Sequence, residues 1–125
     1  MTIAFWCVLI TGILPYIAVG IAKMDKGYDN NAPRDWLATR SGKQKRAYAA
    51  HLNSFEAFPF FAAGVVVAHL AAGPTSIVDT LAFAFVLVRI AYIWCYITDR
   101  ASMRSIIWII GFALTVALFM IAGFR

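Results

Sequence analysis

Residues 46–61 read RAYAAHLNSFEAFPFF, and inside this apolar, small-residue stretch stand an amide, Asn53, and a carboxylate, Glu56. Three residues apart on a helix, the two share one face. Counted from the basic cluster that ends at Arg46, Glu56 is ten residues in, or about 15 Å deep at a rise of about 1.5 Å per residue, near the middle of a bilayer. A lone carboxylate at that depth is costly, so it must face other helices and be protonated or paired with a cation. Arg89 is the cation at matching depth, ten residues before Asp99 at the close of the third apolar run. Glu56 and Arg89 are therefore expected to pair across two helices.

Composition sets the frame around this pair. The chain has 125 residues, 62% of them hydrophobic, and a mean hydropathy of +0.77, too apolar for a soluble domain and long enough for about four spans of about 20 residues. The reading is all-α: an integral membrane four-helix bundle forming one domain over residues 1–125, with spans near 3–22, 47–71, 77–98 and 105–123. The formal charge of +5 is concentrated in the first connection. Residues 23–46 carry Lys23, Lys26, Arg34, Arg40, Lys43, Lys45 and Arg46 against Asp25, Asp29 and Asp35. A basic loop beside apolar spans is held on the cytoplasmic side, where anionic lipid rather than nucleic acid is its partner. With an even number of spans, both termini then face outward. Ala18-Val19-Gly20 mimics a signal-peptidase site, but no cation precedes the first apolar run, so that helix is expected to be retained.

Other chemistries lose support on spacing. His51 and His69 are 18 residues apart at opposite ends of one helix, and His51 does not share a face with Glu56, so no metal site is expected. Cys7 and Cys95 fall at opposite membrane faces, too far apart to bridge within a subunit. No glycine-rich phosphate loop and no Ser/His/Asp set occurs at a common depth. Arg89, Tyr92 and Tyr96 recur at i, i+3 and i+7, one polar stripe on the third span. Arg104 begins the fourth span at the cytoplasmic face, where it either anchors a helix end or lies beside a thiol and favours the thiolate. The Glu56 and Arg89 pair reads equally as a structural clamp or as part of a site. A small proton-coupled transporter using Glu56 is the alternative from another class.

Arg46-Ala47, then Ala50-His51-Leu52-Asn53-Ser54-Phe55-Glu56 and Pro59, resemble the RA…AHxNxxExxP segment of the MAPEG family, membrane-associated proteins in eicosanoid and glutathione metabolism. Asn31-Ala32-Pro33-Arg34 is similar to the NPR-type loop of its bacterial members, and Arg89 to Tyr96 followed by Arg104-Ser105 is similar to its arginine pattern on the third and fourth helices. The resemblance covers roughly residues 20–108. It implies a homotrimer in a bacterial inner membrane, with glutathione bound between neighbouring subunits near the cytoplasmic side. The implied activity is that of a microsomal-type glutathione transferase or peroxidase acting on a lipophilic electrophile. Asn53 and Glu56 would contact the glutathione backbone, with Glu56 taking its amino end. Arg89 and Tyr96 would belong to the same pocket, and Arg104 would stabilise the thiolate. One position departs from the pattern: four residues before Asn53, where glutathione-using members carry an arginine, stands Ala49. Arg46, at i and i+7 with Asn53, is the candidate to take its place. A non-catalytic member that binds lipid or a partner is the reading this departure keeps open.

Overall fold

Apolar runs of about 20 residues can satisfy their backbone groups in hydrocarbon only by coiling into helices, and helices are what the chain forms. A computed structural model describes residues 1–124. Helix α1 spans Ile3–Ala22, α2 Pro33–Ala38, α3 Gly42–Ala72, α4 Ser76–Ile97 and α5 Ala101–Gly123, with no strand among the described residues. Helices α1, α3, α4 and α5 are each long and apolar enough to cross a membrane. Arg125, read from the sequence as the end of the fourth apolar run, lies outside the described residues.

The helix ends follow from local chemistry. Thr2 caps α1 by accepting from the Phe5 N–H at 3.3 Å, and Thr75 caps α4 through the Val78 N–H at 3.4 Å, each meeting one of the orphan donors of a first turn. Helix α3 stops at Gly73, whose φ of +72° is a left-handed conformation that glycine adopts without a Cβ clash. The α4–α5 corner is tighter. Asp99 takes φ +61°, its N–H donates to Tyr96 O at 3.3 Å, and the Arg100 N–H donates to Cys95 O at 2.9 Å. This paired closure is a Schellman motif, in which a short polar residue stands in for the usual glycine.

At 31 residues, α3 is about 46 Å long, well beyond the roughly 30 Å of a hydrocarbon core. It starts five residues before the apolar run, so Lys43, Lys45 and Arg46 belong to the helix and not to a loop. Helix α5 likewise begins at Ala101, which puts Arg104 in its first turn.

Helices α1 and α5 each pack on both α3 and α4. Inward residues of α1 recur every three or four positions, Ala4, Cys7, Thr11, Leu14, Ala18 and Ala22, the spacing of a helix with one contact face. Small residues let the backbones approach. A Cβ added at Gly64 would lie 3.2 Å from Phe119 Cε2 and 3.4 Å from Leu118 Cβ, so glycine sets the α3–α5 distance there. The core falls into layers: Phe61 stacks on Phe85 at 4.0 Å in the layer away from the basic loop, Leu14, Ala50, Tyr92 and Ile93 fill the middle, and Leu37 of α2 seals the loop end against Ala22 and Ala47. His51 ties α3 to α1 through Nδ1 and the Pro15 carbonyl oxygen, 2.7 Å apart.

Candidate functional site

The polar centre lies about halfway along α3 and α4. Arg89 is only 3% exposed and donates from Nη2 to Asn53 Oδ1 at 2.9 Å, with Ser54 Oγ further off at 3.4 Å. Its guanidinium lies over the Tyr92 ring, 4.2 Å from the centroid. Asn53 uses the other end of its amide on Glu56, Nδ2 donating to Oε2 at 3.3 Å.

The structure corrects the direct pair expected between Glu56 and Arg89. The two stand at one level and line one cavity, as counting along the helices implies, but the Asn53 amide is inserted between them. The reason is reach. Asn53 and Glu56 are one turn apart on the same face, and the amide takes the guanidinium contact while Glu56, bonded to the other end of that amide, stays exposed. Among the described residues the single salt bridge is Arg40 with Asp25 at 3.5 Å, in the basic loop.

Two cavities meet at this centre. The deeper one, about 250 Å³, has Asn53, Glu56 and Arg89 at one end and is walled by Phe60, Phe85, Trp108 and Phe112, with space left by Ala57 and Gly111. A cavity of about 340 Å³ towards the loop end is lined by Asn53, Tyr92, Arg104, Ser105, Trp108 and Ile109. Asn53 and Trp108 belong to both, so the cavity that holds Arg104 adjoins the one that holds Glu56 and Arg89.

Of the residues singled out in the sequence, Asn53, Glu56, Arg89 and Arg104 line these cavities. Arg46 and Tyr96 are not among the lining residues. Arg46 donates from Nε to Ile97 O at 3.0 Å, capping the end of α4, and this use follows from its place in the first turns of the lengthened α3. Tyr96 carries Arg104 over its ring at 4.2 Å and meets Tyr92 edge to face at 5.7 Å.

A second polar cluster, at the end away from the loop, escaped sequence reasoning. Asp79 accepts from the Ala4 N–H at 2.8 Å. His69 Nδ1 is 2.9 Å from Val65 O, so that nitrogen carries the proton and donates, leaving Nε2 to accept from the Thr2 hydroxyl at 2.9 Å. These contacts tie the start of α1 to α3 and α4. An acid two residues inside the third apolar run was the available signal. Among the described residues no three His, Cys, Asp or Glu side chains come together in a group that could hold a metal ion.

Comparison with curated proteins and with solved structures gave no match. The model of the MAPEG family, however, matches residues 3–124, nearly the whole chain, including α3, α4 and α5, whose residues line the two cavities. With a membrane-spanning helix set, an inward guanidinium on α4 and an asparagine and glutamate facing it from α3, the chain belongs to the MAPEG family and is an integral membrane protein.

Proposed function

We propose that this protein is a glutathione-dependent transferase or peroxidase that acts on lipophilic electrophiles, working as a homotrimer in the bacterial inner membrane with residues 23–46 on the cytoplasmic side and both termini outward. The observation that carries the reading is the shared wall of the two cavities. A polar thiol entering at the loop end meets Arg104, Ser105 and Asn53, and beyond them lies a chamber walled by aromatic rings suited to a molecule arriving from lipid.

Glutathione would lie with its amino end at Glu56, its peptide part against Asn53 and Arg89, and its sulfur at Arg104. A cation within about 4 to 6 Å lowers a thiol pKa by roughly one to three units, which raises the thiolate from a few per cent to a large share at neutral pH. Arg104 has no carboxylate partner within salt-bridge distance among the described residues, so its charge is free for this use. Its place in the first turn of α5 adds the positive end of a helix dipole. The trimer has separate support: Glu56 is exposed in the single chain although it sits midway along a membrane-length helix, and a neighbouring subunit is what would cover it.

The experiment is a pair of measurements on detergent-solubilised protein. Glutathione should raise the unfolding temperature, because a ligand that binds only the folded state stabilises it, and bound glutathione should show the ultraviolet absorbance of a thiolate. Arg104→Ala should keep affinity within a few fold and lose that absorbance. A wild-type protein without thiolate signal at saturating glutathione would overturn the enzymatic reading in favour of a non-catalytic, lipid- or partner-binding member.

A further inference from the structure

Tyr96 lies outside both cavities, yet the residue in front of it is the one guanidinium of the loop-end cavity. Arg104 lies over the Tyr96 ring at 4.2 Å, and Tyr96 in turn meets Tyr92 edge to face at 5.7 Å, with Tyr92 itself under Arg89 at 4.2 Å. The two arginines are thus mounted on two touching tyrosines. The corner between α4 and α5 fixes the stack: the closure of Asp99 on Tyr96 O and of Arg100 on Cys95 O folds α5 back so that its first turn overlies the last turn of α4.

The choice of a ring as the seat has a chemical consequence. A carboxylate seat would neutralise the guanidinium and occupy its N–H groups. A ring under the cation holds it through the ring quadrupole and, being no acceptor for its N–H groups in their own plane, leaves those donors for a ligand. Among the described residues no carboxylate is within salt-bridge distance of Arg104, and the contact its guanidinium makes there is the one over the Tyr96 ring. From this arrangement we infer that Tyr96 is a positioning residue that acts through the face of its ring and not through its hydroxyl, holding Arg104 against the sulfur of a bound thiol with the cation's charge and donors intact. The inference rests on the thiolate role proposed for Arg104.

The test titrates the thiolate absorbance of bound glutathione against pH in wild type, Tyr96→Phe, Tyr96→Leu and Arg104→Ala, with affinity measured in parallel by calorimetry. Tyr96→Phe keeps the ring and should leave the midpoint within about 0.2 pH units, well inside the span of one cation–π contact. Tyr96→Leu removes the ring and should raise the midpoint by about 0.5 to 1.5 pH units, the worth of such a contact expressed as a thiol shift, with affinity changed less than about threefold. In an Arg104→Ala background Tyr96→Leu should add nothing, since its effect passes through Arg104. If Tyr96→Phe shifts the midpoint as far as Tyr96→Leu, the hydroxyl is the acting group and the inference fails while the proposed function stands. An unshifted midpoint in a folded Tyr96→Leu protein also overturns it. Should Tyr96→Leu not fold, Tyr96→Phe and Tyr96→Trp decide, because both keep a ring without the hydroxyl and both must hold the wild-type midpoint. A wild-type protein with no thiolate signal removes the proposed function and this inference together.

Discussion

Replacing Asn53 with leucine should cost far more stability than neutralising Glu56, although the carboxylate is the more conspicuous intramembrane group. Asn53 Oδ1 is the close acceptor of Arg89, at 2.9 Å. Without it a guanidinium only 3% exposed keeps just Ser54 Oγ at 3.4 Å. Leaving a buried charged donor without its partner costs about 1.5 to 3 kcal/mol, which for a chain of this size lowers the unfolding temperature by about 5 to 15 °C. Glu56→Gln keeps an acceptor oxygen for Asn53 Nδ2, in a contact that is already long at 3.3 Å and exposed, and should cost about 1 kcal/mol or less. The double variant Asn53→Leu with Arg89→Met removes the stranded cation along with its acceptor and should regain most of the loss, because replacing both partners by apolar groups of similar shape is close to neutral. Thermal unfolding of the four detergent-solubilised proteins, followed by helix circular dichroism, reads all of this. If Glu56→Gln proves as damaging as Asn53→Leu, Glu56 contacts Arg89 directly and the amide bridge is wrong.

Three further outcomes are expected. Gly64→Ala should destabilise by about 1 to 3 kcal/mol, since overpacking a helix contact forces a shift and the new methyl would lie 3.2 Å from Phe119 Cε2; Gly20→Ala, with open space around its Cβ, should be neutral or stabilising by up to about 1 kcal/mol, and equal effects in unfolding assays would refute the packing argument. Asp79→Ala should cost about 1 to 2 kcal/mol by removing a cap from the first turn of α1, whereas Asp79→Asn keeps an acceptor for the Ala4 N–H and should cost less; the reverse order would mean that this contact is not what Asp79 contributes. A cysteine placed at Ser41 should react with a membrane-impermeant thiol reagent in inverted vesicles and not in intact cells, and labelling from outside would reverse the proposed orientation.

The fold was legible because membrane helices obey length and hydropathy with few competing terms. The level of Arg89 against Glu56 was legible too, since a fixed rise per residue turns counting into depth. What counting cannot supply is the rotamer choice that put Asn53 between them. The lengthened start of α3 carried a readable signal: Gly42 to Arg46 contains lysine, glutamine and arginine, good helix formers, which a hydropathy scan treats as loop. That one difference places Arg46 on α3, where its Nε donates to Ile97 O at the end of α4. The seat of Arg104 on Tyr96 depended on a left-handed Asp99, a conformation that aspartate tolerates but does not announce. The tie between His69, Thr2 and Asp79 joins residues distant in sequence, and its local marks were Thr2, a helix-start residue ahead of an apolar run, and Asp79, an acid just inside the third run.

The amide between Arg89 and Glu56 has a functional logic under the proposed chemistry. Two ions in direct contact satisfy one another and offer little to a third group. With Asn53 interposed, Arg89 is tied to a neutral oxygen and Glu56 receives a single long hydrogen bond, so each keeps its charge open towards the cavity that both line. In a medium of low dielectric such unneutralised charges interact strongly with a complementary ligand, and a molecule bearing an ammonium and a carboxylate can meet both at once. Asn53 is then both a contact for the peptide part of the ligand and the spacer that keeps the ligand's two charged receptors from closing on each other.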